Sequence, residues 1–200
     1  MIGVIDYEAG NIASISNALS RIGSDFMVSA DVGKLRTCTG IILPGVGAAP
    51  TAMSSLQDRN LPGFLVSLKV PFLGICLGMQ LLYKFSEEGN TPCLGVLPGS
   101  VRTINPAVCR VPHIGWNSVE FIADHPLIAG VKRSAYFYFA HSYAAHPDAS
   151  AAGVSDCGVP FAAAVFKDNY LGVQFHPEKS DSEGLRLLKN FDDLCRTSRP

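Results

Sequence analysis

The sequence predicts an α/β fold with a doubly wound, mostly parallel central sheet, helices on both faces and added antiparallel strands in the C-terminal half. In the first half, short apolar runs alternate with helix-like segments, which is the pattern of βαβ units. In the second half, strand-like runs follow one another at hairpin-sized spacing. The 200 residues are 48% hydrophobic and 16% charged, enough for one sizeable core, so we expect a single domain over residues 1–200.

The apolar runs place the elements along the chain. In the first half we expect strands at residues 2–5, 26–29, 41–43 and 72–75, with helices over residues 11–22, up to Leu56, and over residues 76–85. In the second half we expect strands at residues 119–122, 135–139, 162–166 and 171–175, and a closing helix over residues 182–194. Ligands of such sheets bind beyond the carboxyl ends of the strands, so residues that follow the strands are candidate site residues.

A cysteine stands between two glycines, directly after an apolar run and before a helix-like segment. In Gly74-Ile75-Cys76-Leu77-Gly78 this order is that of a nucleophile elbow, where glycines remove Cβ atoms that would clash in a sharp strand-to-helix turn. The positive end of the helix dipole favours the thiolate, which is the nucleophilic form. A buried structural cysteine is the simpler interpretation of a lone Cys, and a matching base is needed to decide.

A base is present where the last strand-like run ends, in His176-Pro177-Glu178. Side chains two positions apart in an extended chain leave on the same side, roughly 6–7 Å apart, and Pro177 favours extended geometry at His176. Glu178 then fixes the imidazole tautomer, and the other ring nitrogen accepts the thiol proton of Cys76. A lone histidine would be a capping or core residue, but here three roles are filled together, which predicts a catalytic triad.

A third strand-like run ends in the glycine turn Pro44-Gly45-Val46-Gly47. Acyl transfer needs backbone N–H donors for the oxyanion, each worth typically ~3–4 kcal/mol. We expect the N–H groups near Val46 or Gly47, with that of Leu77 after the nucleophile, to form an oxyanion hole. A Gly-x-Gly turn alone is only a loop, and it gains weight because it follows a strand, as the elbow does.

Composition excludes several classes of protein. The net charge of −1, the pI of about 6.5 and the lack of a basic run argue against a nucleic-acid partner. We see no signal peptide and no apolar span of ~18 or more residues, so we expect no membrane association and a cytoplasmic location. The six cysteines form no Cys-x-x-Cys pair, which favours reduced thiols over a disulfide framework. The histidines lack metal-ligand spacing, so we expect no metal.

The elbow and the His-Pro-Glu segment together resemble the class I (triad) glutamine amidotransferases over nearly the whole chain. Further motifs resemble the glutaminase subunits of imidazole glycerol phosphate synthase, which act in histidine biosynthesis. These motifs are Ile5-Asp6-Tyr7 with Gly10-Asn11, the Pro44–Gly47 turn, Pro112-His113-Ile114-Gly115-Trp116-Asn117, and Tyr136-Phe137-Tyr138-Phe139-Ala140-His141-Ser142-Tyr143.

The resemblance implies a reaction and a set of roles. Cys76 would attack the side-chain carboxamide of glutamine, His176 would protonate the departing ammonia, and Glu178 would orient His176. Water would then hydrolyse the γ-glutamyl thioester to glutamate, without a cofactor. The positions that match glutamine contacts in the family are Gly47, Gln80, Glu88, Ser142 and Tyr143.

The resemblance also implies a partner. In the family, ammonia passes through a tunnel into a separate (β/α)₈ cyclase subunit, which makes imidazole glycerol phosphate and the aminoimidazole carboxamide ribonucleotide. Such a barrel typically needs ~250 residues, so the partner is a second chain and the expected assembly is a heterodimer. Asn11, Tyr138 and Lys179 match interface positions. Glu8 and Ala49 depart from the family pattern on the partner-facing side.

Three alternatives stay open. A paralogous subunit would supply ammonia to a synthase that makes an amidine on a sugar for surface polysaccharide. A non-catalytic scaffold subunit would keep the fold without the chemistry, although none of Cys76, His176 and Glu178 is lost. A stand-alone cysteine hydrolase, such as a peptidase, would cleave another substrate, although Gln80 fits glutamine better.

Overall fold

A computed structural model describes residues 1–7 and 11–197 of the chain. Within these residues the strands are β1 (Ile2–Ile5), β2 (Phe26–Ser29), β3 (Gly40–Gly45), β4 (Phe72–Cys76), β5 (Phe85–Ser86), β6 (Thr91–Pro92), β7 (Ser100–Thr103), β8 (His113–Phe121), β9 (Ser134–His141), β10 (Tyr143–Ala145), β11 (Ala151–Asp156), β12 (Pro160–Lys167) and β13 (Tyr170–Val173). The α-helices are α1 (Ile12–Arg21), α2 (Val32–Leu35), α3 (Ala49–Asp58), α4 (Leu61–Val66), α5 (Leu77–Gln80) and α6 (Asp181–Thr197). Gly10 and Glu8 lie outside the described residues.

The central sheet has nine strands in the order β2-β1-β3-β4-β13-β12-β11-β8-β9. From β2 to β13 the pairs are parallel, and from β13 to β9 they are antiparallel. The predicted fold class is therefore confirmed, including the antiparallel addition in the C-terminal half. A second, four-stranded sheet in the order β10-β7-β5-β6 was not predicted, because strands of two to four residues give little periodicity.

Alternate residues of the parallel strands pack against helices on opposite faces of the sheet. Val4 and Ile42 belong to the core that contains α1 and α6 side chains, whereas Ile41 and Leu43 belong to the core that contains α3 and α4 side chains. This division follows from the two-residue period of a strand. Because both faces are covered, β1, β3, β4 and β13 are buried along their whole length and carry no charged or polar side chains except the Cys76 thiol and the Tyr170 hydroxyl, whereas the edge strand β2 is only partly buried.

The helix that starts after the cysteine is shorter than predicted. We expected it to run to Phe85, but α5 ends at Gln80 and Phe85 lies in β5. The carbonyl oxygens of residues 81–83 accept hydrogen bonds from the N–H groups of Leu94, Leu97 and Gly95. These hydrogen bonds take the place of the bonds that a continuing helix would form. Packing against residues 94–97 therefore overrides the helical preference of the local sequence.

Two cysteines are paired, contrary to the expectation of reduced thiols. Cys109 and Cys157 form a disulfide with their Cα atoms 5.4 Å apart, and Cys38, Cys76, Cys93 and Cys195 are free. The two cysteines of the pair are separated by 48 residues. Such a pairing depends on the tertiary fold, so no spacing motif in the sequence could reveal it.

Two histidines join β8 to β9 at the register pair His113 and His141. His113 Nδ1 lies 3.0 Å from His141 Nε2, and His141 Nδ1 lies 2.9 Å from the carbonyl oxygen of Tyr143. A carbonyl oxygen only accepts, so His141 carries its proton on Nδ1. Its Nε2 therefore accepts a hydrogen bond from the N–H at Nδ1 of His113. Burial lowers the pKa of His141 to about 4, although its hydrogen bond to Tyr143 raises it. His141 is therefore neutral at pH 7.

This neutral histidine predicts acid-sensitive stability. The unfolded chain binds a proton at an ordinary histidine pKa near 6.5, whereas folded His141 does so only near 4. The free energy of unfolding should therefore fall as pH drops from about 6.5 to 4, and the His141 share between pH 7 and 5 is about 2 kcal/mol. Urea unfolding at both pH values should show that His141→Gln loses about that much less than wild type. The exposed His146→Gln is the control, and equal losses in all three proteins would contradict the prediction.

Candidate active site

The carboxyl ends of four adjacent strands, β1, β3, β4 and β13, meet at one edge of the sheet. A cleft of about 270 Å³ opens there. The predicted residues that line it are Val46, Gly47, Cys76, Leu77, Gln80, Glu88, Ser142, Tyr143, His176 and Lys179. Glu178 lies behind His176, and Asn11 precedes α1 without lining the cleft. Residues from distant parts of the sequence thus come together around one sulfur.

Cys76 occupies the turn between β4 and α5 in a strained backbone conformation. Its φ of 53° and ψ of −108° are rare for a residue with a Cβ atom. A Cβ atom added to Gly74 would clash with the backbone of Gly78, and one added to Gly78 would clash with the carbonyl oxygen of Leu43. The two glycines therefore allow α5 to start directly against β3. This geometry is that of a nucleophile elbow.

His176 is held between a sulfur and a carboxylate. Its Nδ1 lies 2.9 Å from Glu178 Oε1, and both side chains are almost fully buried. Because the carboxylate accepts, Nδ1 carries the proton and Nε2 is left for Cys76. Burial lowers the pKa of His176, but hydrogen bonds to Cys76 and Glu178 outweigh it and raise the pKa to about 10. A proton on His176 is therefore stabilised by both of its neighbours, Cys76 and Glu178.

The local backbone differs from the extended segment that we expected. His176 itself is extended, with φ −100° and ψ 95°, but Pro177–Lys179 form a 3₁₀ turn. The turn brings Glu178 into direct hydrogen-bond contact with the ring, closer than the spacing of an extended chain. A proline at the first position of a helical turn leaves no unsatisfied N–H, which explains why the turn begins there.

β9 fixes this turn through its backbone. The N–H of His176 donates to the carbonyl oxygen of Tyr138 at 2.8 Å. The buried Ser180 hydroxyl accepts from the N–H of Tyr138 at 3.0 Å and donates to the carbonyl oxygen of His176 at 2.6 Å. Ser180 is a supporting residue that sequence reasoning missed, and nothing in its neighbourhood distinguishes it from a surface serine.

The glycine turn after β3 borders the cleft. Val46 and Gly47 are exposed there, and Gly47 has a φ of 97°, which favours glycine. Behind the turn, Tyr7 is fully buried with its hydroxyl oxygen close to Gly45 and without a hydrogen-bond partner among the described residues. Burial raises the pKa of Tyr7, and the nearby Cys76 raises it further. The structure therefore places Val46 and Gly47 at the same cleft as Cys76.

The residues predicted to contact glutamine have other partners in this structure. Gln80 is buried and donates from Nε2 to the carbonyl oxygen of Tyr143 at 2.8 Å. Glu88 Oε2 accepts the N–H of Ala49 at 2.7 Å and so holds the first residue of α3. Ser142 accepts the N–H of Ile104 on its carbonyl oxygen at 3.0 Å and lines the cleft. Glu88 therefore has a structural contact that the sequence did not indicate.

A further residue at the sulfur escaped the sequence analysis. Gln174 is fully buried and its Nε2 lies 3.5 Å from Cys76 Sγ. The signal was present, because Gln174 is a polar residue between the buried apolar residues Val173 and Phe175. A buried amide in an apolar run requires hydrogen-bond partners, which is a reason to examine such positions.

An exposed apolar surface lies on β8 and β9 beside the cleft. Ile114, Trp116 and Tyr136 are 62%, 48% and 65% exposed. Trp116 faces Tyr138 across the strand pair, and Lys179 Nζ lies 5.6 Å from the centre of the Tyr138 ring. Aromatic residues of this size on a surface are typical of a protein interface.

Neither a metal cluster nor a membrane span is found in the part of the chain that the structure describes. Over residues 1–7 and 11–197, no group of three or more His, Cys, Asp or Glu side chains is placed to hold a metal ion. None of the helices in these residues has the length and apolar character needed to cross a membrane.

Comparison with known proteins agrees with the fold. The glutamine amidotransferase class-I family model matches residues 3–194. Imidazole glycerol phosphate synthase subunit HisH of Haemophilus influenzae is 44% identical over 190 residues, covering 95% of this chain and 96% of the relative. The HisH subunit of Xanthomonas euvesicatoria is 46% identical over 194 residues, covering 96% and 97%.

Solved structures show the same fold. A crystal structure of a glutamine amidotransferase aligns with a TM-score of 0.75 at 21% identity, covering 98% of each chain. PurLQS from Thermotoga maritima aligns with a TM-score of 0.73 at 19% identity, covering 95% of this chain and 96% of that one. The chain therefore belongs to the class-I glutamine amidotransferase family, as a relative of the HisH subunits of imidazole glycerol phosphate synthase.

Proposed function

We propose that the chain is a glutaminase subunit that hydrolyses glutamine with a Cys76-His176-Glu178 triad and passes ammonia to a cyclase subunit in histidine biosynthesis. The observation that carries the proposal is the hydrogen-bonded, buried His176 between Glu178 and the sulfur of a cysteine on an elbow. The HisH relatives, similar over nearly the full length of the chain, support the choice of pathway.

The chemistry follows from the protonation state of the triad. The Cys76 thiolate attacks the carboxamide carbon of glutamine, and the carbonyl oxygen takes up negative charge. The N–H of Leu77 and an N–H of the Val46–Gly47 turn would stabilise that oxygen. His176 then gives its proton to the departing ammonia, and the γ-glutamyl thioester forms. Water, deprotonated by His176, hydrolyses the thioester and releases glutamate.

The substrate and partner sites are assigned on the same basis. Glutamine would bind in the cleft between the Gly47 turn and the segment of Ser142 and Tyr143, beside Gln80 and Glu88. The exposed surface of Ile114, Trp116 and Tyr136, with Tyr138 and Lys179 at its border, would face a separate (β/α)₈ cyclase, and we assign Asn11, which precedes α1, to the same interface. We propose a heterodimer of the two chains, with the cytoplasm as its expected location.

The first test measures glutamate release by the chain alone, and then with a cyclase of the histidine pathway and its ribonucleotide substrate. We expect the partner to stimulate glutamate release strongly and Cys76→Ala to abolish it. If the folded protein and a cyclase from the same source give no stimulation, the histidine assignment is wrong and the polysaccharide paralogue takes its place. Peptide cleavage without glutamine hydrolysis would instead indicate a stand-alone cysteine hydrolase.

Replacement of the orienting carboxylate should affect the rate more than the fold. In Glu178→Gln the side-chain N–H₂ can donate a hydrogen bond to Nδ1 of His176, which favours the tautomer with its proton on Nε2, and that nitrogen then cannot accept the Cys76 proton. We expect kcat for glutamate release to fall by roughly 10²–10⁴-fold, with KM little changed. Glu87→Gln, at a partly exposed glutamate that lies outside the triad, is the control. Full activity of Glu178→Gln would remove Glu178 from the triad.

Truncation of an exposed aromatic residue should weaken partner binding. Trp116 is the largest exposed apolar side chain on the β8–β9 surface, and truncation of such an anchor typically costs ~2 kcal/mol or more. We expect Trp116→Ala to raise the Kd for the cyclase by roughly 30-fold or more, measured by calorimetry. Val66→Ala, on an exposed residue of α4, should leave the Kd unchanged. Equal affinity of both variants would place the interface elsewhere.

A further inference from the structure

We propose that Gln174 is a further residue of the reaction, whose side-chain N–H donates a hydrogen bond to the Cys76 sulfur and stabilises the thiolate. The inference rests on the proposed function, because it concerns the same cysteine chemistry. Gln174 follows β13, its backbone N–H donates to the carbonyl oxygen of Ala163 at 2.9 Å, and its Nε2 lies 3.5 Å from Cys76 Sγ. It therefore contacts the reacting atom from inside the protein, while the cleft is on the other side.

Burial makes this amide an unusual choice for its position. Its neighbours along the chain, Val173 and Phe175, are fully buried apolar residues in the core next to α1 and α6. An apolar side chain would fill the same space without the cost of burying an amide. The hydrogen-bonding capacity of Gln174 therefore requires a reason, and its contacts with Cys76 and Gln80 provide one.

The direction of the amide follows from a backbone carbonyl. The carbonyl oxygen of Tyr143 only accepts, so the group that Gln80 points at it, 2.8 Å away, must be the Nε2 amine. The same Nε2 lies 3.0 Å from the far end of Gln174, which must therefore be the Oε1 oxygen. The other end of the Gln174 amide, the one that faces Cys76, is then the N–H donor.

The two histidines described above secure this direction. Tyr143 has two acceptor positions on its carbonyl oxygen, and Nδ1 of His141 occupies the second at 2.9 Å. His113 donates to His141 in turn. If the Gln174 amide were reversed, its N–H₂ would face the N–H₂ of Gln80 and its oxygen would face the sulfur. The network therefore holds one orientation, with a donor at Cys76.

A donor at the sulfur has a definite chemical effect. A hydrogen bond to the charged form of a group favours that form. The thiolate is charged and the thiol is not, so the N–H of Gln174 favours the nucleophile before glutamine arrives. His176 acts in the same direction from the cleft side, through its positive charge. Gln174 differs because it exchanges no proton and stays in place throughout the reaction.

The test measures the pH dependence of Cys76 alkylation by iodoacetamide without glutamine. The Cys76 peptide is followed by mass spectrometry, because Cys38, Cys93 and Cys195 are also free thiols. In Gln174→Met we expect the midpoint of the rate profile to lie about one pH unit higher than in wild type, a tenfold smaller thiolate fraction below the midpoint. Gln57→Met, at an exposed glutamine of α3, should keep the wild-type midpoint.

The midpoint of the alkylation profile distinguishes a change in thiolate stability from a change in access to the sulfur. A change in access would alter the alkylation rate by the same factor at every pH and leave the midpoint in place. The other titratable groups around the sulfur are the same in the variant and in wild type; they are Tyr7, His141 and His176 with Glu178, and Glu88 and Lys179 in the cleft. If Gln174→Met does not fold, as judged by circular dichroism, Gln80→Met replaces it. That variant leaves the Gln174 amide free to reverse and should shift the midpoint in the same direction.

An unchanged midpoint in the folded variant overturns the inference. Glutamate release by wild type with the cyclase is measured in parallel, so that the two hypotheses fail separately. If wild type releases no glutamate, the proposed function fails, while the alkylation profile still reports on the hydrogen bond. If wild type releases glutamate and the midpoint does not move, the proposed function stands and Gln174 has no influence on the thiolate.

Discussion

The close approach of α5 to β3 is the constraint on which the site depends. Gly78 lies so near the carbonyl oxygen of Leu43 that no side chain fits between them. Only this approach lets the chain turn from β4 into α5 within one residue, and that residue, Cys76, takes a positive φ that costs about 1–3 kcal/mol. The packing of helices against both faces of these apolar strands holds the turn and keeps the strain in place.

Burial and hydrogen-bond partners together set the charge of the two buried histidines His141 and His176. Cys76, His176 and the Glu178 side chain are all nearly inaccessible to water, so each charge is stabilised only by its neighbours. The neighbours of His176 are Cys76 and Glu178, and their hydrogen bonds raise its pKa to about 10 despite its burial. His141 lies in the same region without a carboxylate, and burial keeps it neutral. The two buried histidines therefore differ in pKa because their hydrogen-bond partners differ.

The sequence predicted which segments form the site, although Pro177–Lys179 form a 3₁₀ turn and not the extended chain that we expected. The elbow, the His-Pro-Glu segment and the glycine turn each follow a strand, so their shared edge could be deduced from the parallel topology. The sequence could not reveal contacts between segments that are distant along the chain. The pair Cys109 and Cys157, the bond of Ser180 to Tyr138, and the end of α5 at Gln80 all depend on tertiary contacts. The sequence does contain a signal for Gln174, because it is a polar residue within an apolar, strand-like run.

The position of β9 explains how a partner could influence chemistry that it does not touch. The side chain of Tyr138 borders the exposed apolar surface, while its backbone bonds to His176 and to Ser180 on the other side. β9 is also the edge strand of the sheet, so it has one neighbouring strand instead of two. Because the N–H of His176 donates to Tyr138 of this strand, a shift of β9 would also move the backbone of His176. A protein that docks on the exposed apolar surface and moves Tyr138 would therefore also change the position of the His176 imidazole.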